Sequence, residues 1–264
     1  MRLVLRHATA SHVGLVYDHN EDSAYAGRRL VAVADGVGGE VAGEVASGIA
    51  VAAIRAADPR GPLRPGGLRS AAATANERIA AAVADDPALS GMATTLTAVL
   101  LDHDAVRLAH VGDSRAYRLR DGEVVQLTRD DTFVQYLVDS GHLAIEDVPR
   151  HPHRNVVTRV LAGTPVAVTH SRLPARPGDR YLLCSDGLPD AVAAHDIADT
   201  LRDVPDAVEC ADRLVNLALA GGGPDNVTVV VADLVTAPRR RTPLVVVLVL
   251  TLLLAAAGGA WAVG

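Results

Sequence analysis

The segment Leu30–Gly39, with the sequence LVAVADGVGG, places an acidic residue directly between an apolar run and a glycine-rich turn. A continuous run of Val, Leu and Ala is typical of a strand that is buried on both faces. Asp35 follows this run at once, and the glycines after it favour a tight turn. The segment therefore predicts a buried strand that delivers a carboxylate to one end of a sheet.

Three further acids stand at the ends of apolar runs, namely Asp113, Asp186 and Asp225. Carboxylates that converge at strand ends repel one another, so a cation usually holds them together. Oxygen ligands of this kind suit Mg²⁺ or Mn²⁺ better than zinc. A single Asp beside a turn is more often a turn former than a ligand. The hypothesis of a metal site therefore depends on the recurrence of the pattern.

Composition limits the class of protein. Of 264 residues, 49% are apolar but only 3% are aromatic, so Ala, Val and Leu must fill the core. All 25 basic residues are arginine, three of them follow position 237, and all 31 acidic residues precede it. Residues 1–236 therefore carry a net charge of −9, which argues against a nucleic-acid-binding protein. The two cysteines are too few for a disulfide scaffold and suit a reducing compartment.

Local patterns predict an α+β fold with mostly antiparallel sheets, because the strands cluster between pairs of helices. Helical spacing predicts helices over about 40–57, 68–85, 131–140 and 206–220. Asp121-Gly122 predicts a hairpin turn, and 141–178 is predicted to be a long surface excursion. The predicted strands are Leu30–Ala34, Leu96–Leu101, Val106–Val111, Ala116–Leu119, Tyr181–Cys184 and Val227–Ala232.

The C-terminal part of the sequence has a different character. Leu244–Val263 contains no charge, and a helix of this length would span about 30 Å, the thickness of a bilayer's hydrocarbon core. A buried helix of a soluble protein is the alternative, but few run so long without a charge. Three arginines at 239–241 precede the run and favour the cytoplasmic side. We therefore predict a cytoplasmic domain over 1–236, a basic linker over 237–243 and a single transmembrane helix over 244–263, in the cell membrane.

Six short motifs occur in order along the chain: Asn20-Glu-Asp22, Ala34-Asp-Gly-Val-Gly-Gly39, Gly91-Met-Ala-Thr-Thr95, Val111-Gly-Asp-Ser-Arg115, Cys184-Ser-Asp-Gly187 and Gly223-Pro-Asp-Asn226. Over about residues 5–233 the chain resembles the protein phosphatase 2C family of metal-dependent serine/threonine phosphatases. Its layout is similar to that of membrane-anchored actinobacterial members that oppose receptor-type serine/threonine kinases. The resemblance implies a sandwich of two antiparallel β-sheets flanked by helices, with metals in a cleft at one end.

The resemblance also implies a ligand set for two or three Mn²⁺ or Mg²⁺ ions. Asp35 would bridge two ions, and the carbonyl of Gly36 would bind the second. Asp186 and Asp225 would complete the ligand set of the first ion. Asp35, Asp186 and Asp225 would thus form the catalytic set around a metal-bridging hydroxide. The remaining implied ligands are Glu21 and Asp22 for waters of the second ion, Asp113 for a third ion, and Asn155 in the adjacent flap.

The sequence departs from the family at two positions. Many members carry a phosphate-binding Arg three residues before the Asn of the Asn-Glu-Asp motif, where this chain has Tyr17. A Tyr hydroxyl can donate one hydrogen bond but lacks the charge and bidentate geometry of a guanidinium. Eukaryotic members often carry a His after the Asp-Gly pair as general acid, where this chain has Val37.

Two functions remain open at the level of the sequence. The leading hypothesis is hydrolysis of phosphoserine and phosphothreonine in proteins, with serine/threonine kinases and their substrates as partners. The alternative is a catalytically weakened, phosphatase-like regulator that binds phosphoproteins or kinases. Tyr17 favours this alternative, whereas the presence of all four strand-end acids opposes it. A purely structural membrane adaptor would have no reason to keep these acids.

Overall fold

The segment Leu30–Ala34 forms a strand whose two faces pack against different layers, which explains its continuous apolar sequence. Leu30 and its alternate neighbours Ala32 and Ala34 pack against helices, whereas Val31 and Val33 pack against a second sheet. Successive side chains of a strand point to opposite faces, so a strand between two layers must be apolar throughout. The core therefore has three apolar layers, one between the sheets and one beneath each group of helices.

The computed structural model describes residues 2–38, 42–58 and 66–237. Within these ranges the strands are β1 (Leu3–His12), β2 (Ser23–Ala26), β3 (Leu30–Ala34), β4 (Gly36–Val37), β5 (Ala93–Thr94), β6 (Leu96–Asp102), β7 (Ala105–Val111), β8 (Arg115–Arg120), β9 (Glu123–Gln126), β10 (Thr169–Pro174), β11 (Arg180–Cys184) and β12 (Val227–Thr236). The helices are α1 (Ala42–Ala57), α2 (Gly67–Asp85), α3 (Phe133–Asp139), α4 (Gly187–Ala191), α5 (Ala194–Asp203) and α6 (Ala207–Ala220).

The strands form two five-stranded antiparallel sheets and a short β4-β5 pair. One sheet has the order β1-β12-β11-β8-β9, and the other has the order β10-β7-β6-β3-β2. Helices α4, α5 and α6 cover the outer face of the first sheet, and α1 and α2 cover the second. The predicted α+β sandwich of antiparallel sheets between helices is therefore confirmed.

The hairpin predicted at Asp121-Gly122 is present between β8 and β9, where Arg120 pairs with Glu123. Asp121 and Gly122 have φ angles of 52° and 82°, as a two-residue type I′ turn requires. The prediction for 141–178 is wrong in part, because this segment contains a 3₁₀ turn, Ile145–Arg150, and the edge strand β10. Strand β1 went unpredicted since its partly exposed sequence LVLRHATASH is not a continuous apolar run.

The chain leaves the described domain at the end of β12. The Ala237 N–H donates to the Arg2 carbonyl at 2.8 Å, beside the start of β1. The predicted transmembrane helix, 244–263, and all but the first residue of the predicted linker lie outside the described residues. Among the helices that the structure describes, none has the length and apolar character needed to cross a bilayer.

Gly36 and Gly48 provide a matched test of the packing around α1. A Cβ at Gly36 would lie 2.1 Å from the Gly43 carbonyl oxygen, whereas a Cβ at Gly48 would meet no atom within 4 Å. We expect Gly36→Ala to lower the free energy of unfolding by about 1–3 kcal/mol through overpacking. Gly48→Ala should raise it by about 0.5–1 kcal/mol, because Ala favours a helix over Gly. Denaturant unfolding of both variants measures these changes, and an undiminished stability of Gly36→Ala would contradict the packing.

Candidate active site

A cleft of about 580 Å³ opens at one end of the sandwich. It is lined by all four strand-end acids, Asp35, Asp113, Asp186 and Asp225. The sheet order explains this meeting, because β3 and β7 both flank β6 and therefore end on the same side. In the other sheet, β12 begins beside the end of its antiparallel partner β11. The topology thus brings together acids that are far apart in the sequence.

Four more of the predicted site residues also line this cleft: Tyr17, Glu21, Gly36 and Asn155. Asp22 does not line it. Its carboxylate lies behind the cleft and accepts a hydrogen bond from the Ser185 hydroxyl at 2.7 Å. Asp22 can therefore support the site through Ser185, which directly precedes Asp186 in the chain.

Two threonines hold the backbone of Asp35. The Asp35 N–H donates to Thr95 Oγ1 at 2.9 Å, and its carbonyl accepts from the Thr94 hydroxyl at 2.8 Å. Thr95 Oγ1 also shares a 2.7 Å hydrogen bond with Ser114 Oγ, next to Asp113. The Thr-Thr pair therefore connects the loop that carries Asp35 with the loop that carries Asp113.

Asn226 connects the Asp225 loop with the segment before β2. Its side-chain oxygen accepts from the Glu21 N–H at 2.7 Å. Its side-chain nitrogen donates to the carbonyls of Val13 and His19 at 2.8 and 2.9 Å. These three bonds fix the backbone on which Tyr17 and Glu21 reach the cleft, so Asn226 is a positioning residue.

Glu21 lies against the first turn of α1. The Glu21 carboxylate lies beside the backbone of Gly43, which acts to lower its pKa, and a Cβ at Gly43 would lie 2.6 Å from the carboxyl carbon. Only glycine leaves room for the carboxylate at this position, and the positive N-terminal end of a helix favours a negative charge there. Burial and the nearby Asp225 nevertheless raise the pKa of Glu21.

Asp131 joins the Asp113 loop to the flap, by which we mean the segment around Asn155 that contributes to the lining of the cleft. Its carboxylate accepts from the Gly112 N–H at 3.0 Å and is paired with the Arg159 guanidinium. Its backbone carbonyl accepts from the Thr158 hydroxyl at 2.8 Å. The flap residue Asn155 lies close to this joint in the chain, which explains how a distant loop reaches the cleft.

The pKa values of the cleft acids are raised, because like charges are buried close together. Burial, with repulsion from neighbouring acids, raises the pKa of Asp35 and of Asp186 well above the ordinary range. The two carboxyl groups are neighbours, and the charge of Asp186 disfavours ionisation of Asp35. Burial together with nearby Asp130 raises the pKa of Asp113 to about 7. Burial alone raises the pKa of Asp225. Each group is therefore easier to ionise if a cation is bound beside it.

These residues fit a hard divalent cation. Asp22 Oδ1 and Asp186 Oδ1 are buried side-chain oxygens with no hydrogen-bond partner. An unpartnered buried carboxylate oxygen is costly, and coordination to a cation would satisfy it. The candidate donors are oxygens, which suits Mn²⁺ or Mg²⁺. Within the described ranges, no three His, Cys, Asp or Glu side chains are already gathered into a metal-binding cluster.

No Arg belongs to the lining of the cleft in the described part of the chain. The position of the family's phosphate-binding Arg is occupied by Tyr17, which is 54% exposed and makes no hydrogen bond to the described residues through its hydroxyl. Arg115, beside the site, is held by a bidentate contact with Asp130 at 2.7–3.1 Å. In the described part of the chain the lining of the cleft thus offers a phosphate anion no guanidinium, and its basic side chain is that of His19.

Several supporting residues were not given a role by sequence reasoning: Thr94, Thr95, Ser185 and Gly43. The first three lie inside quoted motifs, so the motifs themselves were the available signal. Gly43 lies in an alanine-rich helix, where one glycine carries no distinguishing sequence signal. Its role depends on where Glu21 lies in the fold.

The family model for protein phosphatase 2C matches residues 17–220, so this chain belongs to that family. Serine/threonine protein phosphatase PstP of Mycobacterium tuberculosis is 52% identical over 88% of the chain. The chain spans about half, 46%, of that relative's length. Serine/threonine phosphatase stp of Listeria welshimeri is 34% identical over 83% of the chain and 92% of its own length.

The fold also agrees with a solved structure. The crystal structure of a PstP catalytic domain in complex with two manganese ions has a TM-score of 0.84 and 51% identity. It covers 89% of this chain and 100% of its own. The proposed preference for Mn²⁺ or Mg²⁺ is thus consistent with a metal-bound relative of the same fold.

Removal of divalent metal should make stability fall as the pH rises. Burial raises the pKa of Asp22 to about 6, and burial with nearby Asp130 raises that of Asp113 to about 7. Between about pH 4 and 7 the folded state therefore holds protons that the unfolded chain has released, so a rising pH favours unfolding. Bound Mn²⁺ should offset this repulsion. The rise in melting temperature that Mn²⁺ produces, relative to the chelated protein, should be larger at about pH 8 than at about pH 5.

Thermal unfolding with Mn²⁺ and with chelator at both pH values measures this increment. Asp113→Asn should reduce the pH dependence of the chelated protein, because it removes one of the shifted groups. An equal Mn²⁺ increment at the two pH values would contradict the electrostatic account of the cleft.

Proposed function

We propose that this protein is a metal-dependent protein serine/threonine phosphatase that hydrolyses phosphoserine and phosphothreonine in proteins. The observation that carries the proposal is the convergence of Asp35, Asp113, Asp186 and Asp225 on one cleft that has no Arg in its described lining. Such a cleft repels a phosphate dianion unless cations are bound. Similarity to proteins named serine/threonine phosphatases supports the same activity.

Bound Mn²⁺ or Mg²⁺ ions would neutralise the phosphoryl oxygens and activate the water that attacks phosphorus in line. Asp35, Asp186 and Asp225 would hold these ions, with Glu21, Asp113 and the Gly36 carbonyl around them. Thr95 and Asn226 hold the loops that carry these ligands in fixed positions relative to one another. No protein nucleophile is needed. Cys184 is fully buried in the core, and burial raises the pKa of its thiol to about 12.

Activity should require added metal and depend on the cleft acids. We expect chelator to abolish release of phosphate from a phosphothreonine peptide, and Asp35→Asn or Asp186→Asn to reduce turnover by about a hundredfold or more. Without metal, both variants should be at least as stable as the parent, because each removes a repelling charge. Asp212→Asn, at an exposed position on α6, is the control. Full turnover by either cleft variant at limiting Mn²⁺ would refute the assignment.

Phosphoprotein binding with little turnover is a second candidate function, and Tyr17 is the observation that favours it. A neutral hydroxyl contributes about 0.5–1.5 kcal/mol per hydrogen bond, against about 1.5–3 kcal/mol for a charged partner. Steady-state kinetics of Tyr17 variants separate a weakened phosphatase from an efficient one.

Tyr17→Arg should lower KM for a phosphothreonine peptide with polar flanking residues by roughly five- to thirtyfold. If the contact is equal in ground and transition states, kcat stays unchanged. Affinity for Mn²⁺ should change little, because Tyr17 is not among the candidate metal ligands. Tyr17→Phe, which removes only the hydroxyl, should raise KM modestly. An unchanged or raised KM for a folded Tyr17→Arg protein would rule out a phosphate contact at this position.

We also propose that the protein is anchored in the cell membrane by one C-terminal helix, with the domain in the cytoplasm, where it opposes membrane serine/threonine kinases. The support is the uncharged run Leu244–Val263 behind the arginines at 239–241. The direction of β12 adds that the linker would leave the domain at the end opposite the cleft, so that the cleft would face away from the bilayer.

The full chain should fractionate with membranes, and a chain ending at 237 should remain in the supernatant. Protease added outside intact cells should leave the domain intact. Digestion of the domain under these conditions would reverse the proposed topology, and a soluble full chain would remove the anchor.

A further inference from the structure

Apolar side chains border a cleft whose lining also contains six acidic residues. We define the apolar collar as Val16, Tyr17, Val37 and Val157, all of which line the cleft. Val16 is 66% exposed and Val37 is 50% exposed. Single exposed apolar residues are ordinary, but the collar gathers residues from three separate segments of the chain at one opening. A grouped apolar surface of this kind gains free energy when a partner covers it.

The turn that carries Val16 and Tyr17 is held tightly against the loop of a candidate metal ligand. Gly14 has a φ angle of 82°, and a Cβ there would lie 2.3 Å from the Asp225 carbonyl oxygen. The Leu15 N–H donates to the Gly223 carbonyl at 2.8 Å. These backbone contacts fix the turn, so the exposure of Val16 and Tyr17 is built into the fold.

The other two members of the collar are also fixed by backbone pairing. Val37 pairs with Ala93 in the β4-β5 ribbon, two residues after Asp35. Val157 pairs with Thr132 in an isolated bridge, and the Phe133 N–H donates to the Val156 carbonyl at 2.8 Å. The collar therefore has a defined position relative to the carboxylates, as a binding surface needs if it is to distinguish one ligand from another.

We infer that the apolar collar binds apolar side chains that flank the phosphorylated residue of a polypeptide substrate, so that the protein selects phosphosites in apolar sequence. This inference rests on the proposed phosphatase function. Continuity with the cleft argues for this occupant, because a phosphoryl group above the carboxylates places the neighbouring residues of the same polypeptide at the rim. An extended chain advances only about 3.3–3.6 Å per residue. Acidic flanking residues would meet Asp18 and Glu21 in the lining.

Paired phosphothreonine peptides test the inference with the full chain at saturating Mn²⁺. One peptide carries Val and Leu on both sides of the phosphothreonine, and the other carries Ser and Asp at the same positions. We expect the apolar peptide to have the higher kcat/KM. Val16→Ser and Val37→Ser should each lower kcat/KM for the apolar peptide by roughly three- to tenfold, the value expected for losing part of a buried Val contact. Both variants should hydrolyse free phosphothreonine with the same kcat/KM as the parent protein.

Val208→Ser is the matched control, because Val208 is 58% exposed on α6 and does not line the cleft. Equal kcat/KM for the two peptides, unaffected by the collar variants, would overturn the inference while leaving the phosphatase function intact. Equal losses on the peptides and on free phosphothreonine would also overturn it, because the collar would then support the metal site. Hydrolysis of neither peptide would overturn the proposed function and this inference together.

Discussion

Mutual repulsion among buried carboxylates is the constraint around which this end of the protein is built. Burial raises the pKa of Asp35 and Asp186 well above the ordinary range, and each group is further disfavoured as an anion by its neighbours. Such an arrangement persists only when other contacts hold the loops in place. Thr95 and Asn226 provide those contacts through the backbone, so the positions of the acids do not depend on attraction between the acids themselves.

The same constraint determines what the cleft can recognise. With no Arg in its described lining and His19 as its basic side chain, the cleft would rely largely on bound cations to attract a phosphate group under the proposed function. Under the inferred substrate selection, the apolar collar would recognise the residues that flank the phosphate. The apolar collar includes Val16 and Val37, whose backbone segments are held beside the candidate metal ligands. Under the proposed function, recognition would be divided between cations for the phosphate and the apolar collar for the polypeptide.

Sequence alone could predict the elements that are set by short-range patterns. The run at Leu30–Ala34 identified a strand with two buried faces, and Asp121-Gly122 identified a hairpin, because each depends on local chemistry. Strand β1 escaped prediction because an alternating, partly exposed sequence resembles a loop as closely as an edge strand. The links between Glu21 and Gly43 and between Asp131 and the flap join distant segments, and no local pattern encodes such contacts.

Position 17 shows how these effects combine. An arginine there would add a charge beside the phosphate but would also place a permanently charged group in the apolar collar that Val16 and Val37 share. Tyr17 instead offers an apolar ring with one polar atom, which can lie against a flanking side chain while its hydroxyl reaches an anion. The backbone of the turn that carries this ring is held by the close approach of Gly14 to the Asp225 carbonyl. Under the proposed function, Tyr17 in place of Arg would move part of substrate recognition from charge to shape, in keeping with the apolar collar beside the carboxylates.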